Sequence, residues 1–443
     1  MQPFSFLHCG DVHLGAPFRG LAETSPAMSQ HLRDAPASAL EHLISKALEQ
    51  KVAALLVAGD LFDADDRNLR AQIQLRDQLE RLHAANIPTF IAAGNHDPLG
   101  GRLASIRYPS SVSFFGTEVE AVPLHAGGSV AAHVYGISYS QPEVRENLVT
   151  KFPRQPQGPF AIAVLHTNVG DHTDHGSYAP CKMTDLQARR FDYWALGHVH
   201  TRETLQGGAP VIHYPGNLQG LHIKETGPRG ATLVDVTASG AVSLTPVWTD
   251  TVRWHRRRTP IDNLVSLDDL MGAFSALAGE IASEAPERLH ILRWTLTDQG
   301  PLHAELRRRD TVHDLVEALR AEHAPEPDAG SVWLERLDLA TRPARDLEAL
   351  RQQQDLLGDL LRLAQEARDC PPAPPTREIG GRASPHPQPG ISVALRDALC
   401  ELLEERRIRA AFDTDPWALL DWPRLIGRAE TLAVDMLAGV DAE

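Results

Sequence analysis

At 443 residues the chain is longer than one hydrophobic core usually organises, so two or three domains are expected, and a hydrophobic content of 42% excludes disorder throughout. A start with no basic segment ahead of an apolar run, no uninterrupted apolar stretch on the order of 18 residues, and four scattered cysteines (Cys9, Cys181, Cys370, Cys400) without C-x-x-C spacing predict a soluble, cytoplasmic protein with neither a disulfide framework nor a zinc knuckle. The formal net charge of −15 counts mildly against a nucleic-acid ligand, although a carboxylate site that binds cations reverses the sign locally.

In chain order, FSFLHC (4–9) reads as a short strand, and residues 39–50 place Leu40, Leu43, Ile44, Ala47 and Leu48 at helical spacing. The near-continuous apolar run 52–60 has the length and composition of a strand covered on both faces. A second helix over 67–85 leads through Pro88 into the strand 89–97. This βαβαβ succession predicts a parallel sheet. Further strands are expected at 112–115, 129–139, 160–166, 192–196, 210–214, 231–236 and 241–248, giving an α/β fold with a β-sandwich of two sheets flanked by helices over residues 1–250. Residues 251–340 alternate strand, helix (266–284), strand (290–298), helix (311–323) and strand (331–339), the pattern of a small α+β module. Its basic runs RWHRRR (253–258) and ELRRRD (305–310) suit solvated faces or phosphate contacts. A helix within 341–370 carries a leucine stripe over 345–367, residues 371–390 form a Pro/Gly-rich linker, and 391–443 hold two C-terminal helices near 392–410 and 422–438.

The polar residues fall where the strands end. Asp11 and His13 follow the first strand in GDVH, Asp60 the second in GDLFD, and Asn95 and His96 the third in GNHD. His166 ends AIAVLH, and His198 and His200 follow YWALG in GHVH. One strand ending in Asp or His has a structural explanation; five converging at the carboxyl edge of a parallel sheet point to a site. Asp, Asn and His without cysteine suit manganese, iron or zinc. Seven such groups are enough for two ions sharing a carboxylate, as in two-metal hydrolytic sites. His96, beside a ligand but not needed as one, fits a general acid.

GDVH, GDLFD, GNHD, LHTN and GHVH in that order resemble the calcineurin-like metallophosphoesterases, and GDLFD with GNHD is similar to their SbcD-like DNA repair exonuclease branch. HTNVGDHTDHGSYAPC (166–181) and YPGNLQGLHIKETGPRG (214–230) resemble the YhaO-type members most. The resemblance implies a manganese-dependent DNA exonuclease with two divalent ions, one on Asp11, His13, Asp60 and His200, the other on Asp60, Asn95, His166 and His198, and with His96 catalytic. It also implies that 251–340 is a capping domain, that an SbcC-like SMC-type ATPase docks on the C-terminal helices, and that the chain forms a homodimer. Asp97 is expected to orient His96 or its loop and Asp63 to support its own loop. Arg19 and Arg202 are read as DNA backbone contacts or surface residues, and His172 and His175 as part of a polar loop near the site. A phosphatase or phosphodiesterase for small nucleotides, and a scaffold without catalysis, remain as alternative readings.

Overall fold

A computed structural model describes residues 1–18, 26–63, 69–100, 106–170, 178–308, 310–323, 330–344, 347–369 and positions 426, 427, 429, 430, 434 and 437. The chain divides into two compact units, residues 1–342 and 343–443.

The first unit opens with β1 (Phe4–Cys9), α1 (Pro26–Gln50), β2 (Ala54–Ala58), α2 (Leu69–Ala84), β3 (Thr89–Ala92) and β4 (Val112–Phe114). It continues through β5 (Glu120–Ala126), β6 (Ser129–Gly136), β7 (Ala161–His166), α3 (Met183–Gln187), β8 (Tyr193–Gly197), β9 (Glu203–Gln206), β10 (Val211–Tyr214), β11 (Gly230–Val236) and β12 (Val242–Trp248). Two six-stranded sheets result, in the orders β12-β11-β1-β2-β3-β4 and β5-β6-β7-β8-β10-β9. The contacts β1–β2, β2–β3, β3–β4, β6–β7, β7–β8 and β8–β10 are all parallel.

Period-two alternation assigns the layers. Leu55 and Val57 of β2 turn outward to Leu43, Ile44 and Ala47 of α1 and to Leu75 and Leu79 of α2. Ala54, Leu56 and Ala58 turn inward, where Phe6, Phe90, Ile162, Val164, Tyr193 and Ala195 fill the space between the sheets. The far face of the second sheet is covered by Leu148, Phe152, Leu186 and Phe191 around Trp194. The expected sandwich flanked by helices is what forms. β5 and β9 were not expected: both are edge strands, β5 holds Pro123, and each is largely solvated, so neither has an apolar alternation to detect.

The helix expected over 39–50 begins at Pro26 and runs through Pro36. Its first turns bury Met28, Leu32 and Ala35 against Val252, Trp254, Leu289, Ile291 and Trp333, and this packing outweighs the break in pattern. Those partners belong to β13 (Val252–Pro260), β14 (Leu289–Gly300) and β15 (Val332–Pro343), a three-stranded sheet whose β13 and β14 are parallel. α4 (Leu267–Glu284), α5 (His303–Leu306) and α6 (Thr311–Glu322) complete this module. Ser266 starts α4 with a capping box, its Oγ accepting from Asp269 N and the Asp269 carboxylate accepting from Ser266 N.

In the second unit the single helix expected over 345–367 is two, α7 (Leu347–Arg351) and α8 (Leu356–Asp369). Asp355 accepts from Gly358 N at 2.8 Å and so caps the start of α8, which interrupts the leucine stripe. The linker 371–390 and the helix expected at 392–410 lie outside the described residues; of the last helix, positions 426, 427, 429, 430, 434 and 437 are described and helical. Among the described residues no helix is long and apolar enough to cross a membrane.

Candidate metal centre

The register of the parallel strands brings the motif loops together. Cys9 pairs with Val57 and Ala58 with Ala92, so Gly10-Asp11, Gly59-Asp60 and Gly94-Asn95 leave the first sheet side by side, while His166 pairs with Gly197 on the second. Backbone bonds then zip the first two loops: Asp11 N donates to Gly59 O at 3.0 Å, Val12 N and His13 N to Asp60 O at 2.9 and 3.0 Å, and Leu14 N to Leu61 O at 2.8 Å.

Three of the glycines ahead of ligand-type residues are required by space, among them Gly94, where a Cβ would lie 2.8 Å from Asp60 N. A Cβ on Gly59, where φ is +91°, would lie 2.7 Å from His166 Cγ, and one on Gly197 would lie 2.8 Å from the Ala58 carbonyl carbon. The residues that follow are themselves held in unusual backbone: φ is 51° at Asp11, 48° at His13, 52° at Asp60 and 102° at His198. Each such conformation costs about 1–3 kcal/mol in a residue with a side chain and persists where the surrounding structure over-determines it, often at a functional site.

The side chains meet through their nitrogen and oxygen atoms. His166 Nδ1 lies 2.9 Å from Ala58 O, which can only accept, so the proton is on Nδ1 and the Nε2 lone pair looks into the site. There it meets Asn95 Oδ1 at 2.9 Å and Asp60 Oδ2 at 3.4 Å, two further acceptors. His200 Nε2 faces His13 Nε2 at 3.2 Å and Asp11 Oδ1 at 3.8 Å, and His13 Nε2 is 3.9 Å from Asp60 Oδ2. Atoms bound about 2.1 Å from one ion stand about 3.0–4.2 Å apart, depending on the bond angle, so these separations suit shared cations. Among the described residues three groups lie close enough to hold an ion: Asp11 with His13 and His200, Asp11 with Asp60 and His166, and His13 with Asp63 and His96. The His198 ring packs 5.1 Å from that of His166, and its backbone N donates to both oxygens of Asp11.

Burial is nearly complete, and it pushes the Asp11 and Asp60 carboxyls above the ordinary carboxylate range while holding His166 down to about 3. Burial would also lower His200, but its hydrogen bond to Glu225 and the carboxylate of Asp11 outweigh this and raise it to about 9. Two buried carboxylates call for positive charge, as a proton on a neighbouring imidazole such as His200 or as a bound cation.

Around this centre the supporting residues sort themselves by contact. Asp63 Oδ1 lies 3.0 Å from His96 Nδ1, and this hydrogen bond raises the His96 pKa. The His96 ring stands edge-on to that of His13, 5.0 Å away. Asp97 accepts from Gly94 N, Leu61 N and Asp60 N at 2.6, 2.8 and 3.2 Å, which ties the second loop to the third. Arg202 is half-buried and donates to Thr232 Oγ1 and the Ala231 carbonyl, so its guanidinium is engaged with β11. Arg19, His172 and His175 lie outside the described residues.

One buried acid had no expectation attached. Glu225 is 5% exposed and its Oε1 is 2.5 Å from His200 Nδ1. It sits in a coil between β10 and β11, where an acidic residue has no periodicity to mark it; the only signal was its place inside a segment that resembled one branch of the family.

Comparison with known proteins agrees with this geometry. The calcineurin-like phosphoesterase family model matches residues 4–202, and the middle domain of metallophosphoesterase YhaO matches 254–342. Metallophosphoesterase YhaO of Bacillus subtilis is 32% identical over 352 residues, which take in 79% of this chain and 85% of that one. The DNA double-strand break repair protein Mre11 of Sulfurisphaera tokodaii is 28% identical over 53% of this chain and 60% of its own, and that of Aeropyrum pernix 27% identical over 53% and 59%. The chain thus spans about three fifths of the length of these Mre11 relatives. By its strand order, its ligand loops and its match to YhaO along most of both chains, this protein belongs to the calcineurin-like metallophosphoesterases of the YhaO type.

Proposed function

We propose that this metallophosphoesterase is a DNA repair nuclease that hydrolyses phosphodiester bonds with two divalent ions, manganese first among them, as an exonuclease. The observation that carries the two-ion part is the convergence of His13, His200, His166, Asn95 and Asp60, whose ligand-type atoms stand 2.9–3.9 Å apart, the spacing of donors around shared cations. The DNA part draws on the Mre11 relatives, which are double-strand break repair proteins. By the same likeness the reading extends to an SbcC-like SMC-type ATPase partner on the C-terminal helices, a homodimer, and a capping role for residues 251–340. Buried free thiols at Cys9 and Cys181 suit the reducing cytoplasm.

Asp11, His13 and His200 would hold one ion, Asn95, His166 and His198 the other, with Asp60 between them. Two divalent ions there would supply charge to neutralise a phosphodiester oxyanion and to activate water. The packed imidazoles and strained loops hold the ligand atoms in place before substrate arrives, so little reorganisation accompanies binding. Asp63 fixes the His96 ring through Nδ1, which turns its other edge toward the leaving oxygen as proton donor.

The test is incubation of the purified protein with end-labelled linear duplex and single-stranded DNA in manganese, magnesium or chelator. Manganese-dependent degradation that His96→Ala abolishes while both ions stay bound is expected. Degradation that survives His96→Ala would remove that residue from the chemistry. Turnover of bis(p-nitrophenyl) phosphate or a cyclic nucleotide with DNA left intact would replace the nuclease reading by a small-nucleotide phosphodiesterase.

A further inference from the structure

We infer that Glu225 is the positioning residue of His200 and thereby governs one of the two ion sites and not the other; the inference rests on the two-ion reading above. His200 is a partly exposed ligand-type side chain beyond the end of its strand. It follows β8 by three residues, and its side chain is 22% exposed. An imidazole there needs a partner on Nδ1 if Nε2 is to stay aimed at Asp11 and His13.

Glu225 supplies that partner with unusual completeness. Its Oε1 is 2.5 Å from His200 Nδ1, and its Oε2 accepts from Leu221 N at 2.7 Å, so both oxygens are fixed. With Nδ1 held by this carboxylate, Nε2 is the nitrogen left to bind an ion, and negative charge stands behind the ring, as in carboxylate–histidine–metal relays. By contrast His166 has only a backbone carbonyl, that of Ala58, behind its Nδ1. The two sites are thus supported differently, one by a removable side chain and one by the main chain.

The loop that carries Glu225 is itself braced. Arg229 donates to the His200 carbonyl and to Asn217 Oδ1, and Asn217 N donates to the same His200 carbonyl at 3.3 Å. On its other side Gln219 Oε1 accepts from Thr251 N and Val252 N at 2.9 and 3.2 Å, Gln219 Nε2 donates to Val252 O at 2.6 Å, and Gly220 O accepts from the Trp254 indole at 3.1 Å. Glu225 is presented by a segment clasped on both flanks, which suits a residue whose task is to hold an angle.

The experiment measures manganese binding to the full chain by the loss of the free-ion electron paramagnetic resonance signal, for wild type, Glu225→Gln, His200→Ala and the double variant. The wild type should take up two ions. Glu225→Gln should weaken one of them about 10–100-fold and leave the other within about twofold. In the His200→Ala background the same substitution should change neither remaining affinity by more than about twofold, because its target is gone. A merely structural role would lower both affinities together, lower the melting temperature, and persist in the double variant. Should Glu225→Gln fail to fold, Glu225→Asp, which keeps the charge but is one methylene too short to reach Nδ1, should weaken the same ion. A wild type that binds no manganese overturns the two-ion reading and this inference with it. A wild type that binds two, with a Glu225 variant that keeps both or loses both equally, overturns this inference alone.

Discussion

Replacing His198 with glycine should leave the protein more stable than replacing it with alanine, a reversal of the usual order. Both substitutions remove the imidazole and its packing against His166 and Tyr178, so those losses cancel in the comparison. What remains is the backbone at φ 102°, where a Cβ is strained by about 1–3 kcal/mol and glycine is not. Glycine gives back about 0.4–1 kcal/mol through the greater freedom of its unfolded chain, which leaves a net advantage of about 0.5–2 kcal/mol. For a cooperative unit of this size that is a difference of about 1–4 °C in melting temperature. The assay is thermal melting of both variants in chelator, so that ion binding contributes nothing. An alanine variant that melts at the same temperature or higher would show that the backbone at His198 is not held against its preference, and the account of strain stored in the ligand loops would fall.

Three further outcomes are expected. His198→Ala and His200→Ala should each weaken a different manganese ion in equilibrium binding; loss of the same ion in both would refute the division of ligands. Gly197→Ala should cost about 3 kcal/mol or more, or prevent folding, because its Cβ would lie 2.8 Å from a main-chain carbon of β2 that cannot withdraw; a urea midpoint near wild type would contradict that packing. Acid should weaken the module of β13–β15 through His255 and His290. Their rings meet at 2.9 Å, His290 donates to the Ala285 carbonyl, and burial, aided by the neighbouring histidine and by Arg253 and Arg257, holds His255 at about 3, while burial and Arg253 lower His290 against the opposing carboxylates of Glu284 and Asp250. The unfolded chain, with histidines near their ordinary value of about 6.5, takes up protons first, so stability is present above that pH and is lost as pH falls toward 3, by about 1–2 kcal/mol at pH 5. Denaturation midpoints at pH 7 and 5 check this, and His255→Leu with His290→Leu should flatten the difference.

The parts of the fold that could be read in advance are those whose burial is written locally. β2, β7 and β8 are buried on both faces, and their apolar runs ending in Asp or His announced both the strand and the ligand. β5 and β9 escaped because an edge strand needs no apolar face. The first half of α1 escaped because its partners, Val252, Trp254 and Trp333, come more than two hundred residues later, and no local pattern encodes a surface that distant. The same distinction divides the site. Ligand-type residues cluster at strand ends and were visible as motifs, whereas Asp63 on His96 and Glu225 on His200 act across folded loops, where only three-dimensional placement reveals which carboxylate serves which ring.

The clasp between the Gln219–Gly220 segment and β13 decides where this chain can be cut. A fragment ending at residue 250 would strip the Gln219 amide of Thr251 and Val252, leave Asp250 without the guanidiniums of Arg253 and Arg288, and uncover Met28, Leu32 and Ala35 along the first turns of α1. Such a piece would carry every candidate ligand and still present an apolar stripe and an orphaned buried charge, the makings of an aggregating product. Expression designs for the catalytic half should therefore keep residues through 342, and a loss of activity in shorter fragments would speak to the clasp before it spoke to the chemistry.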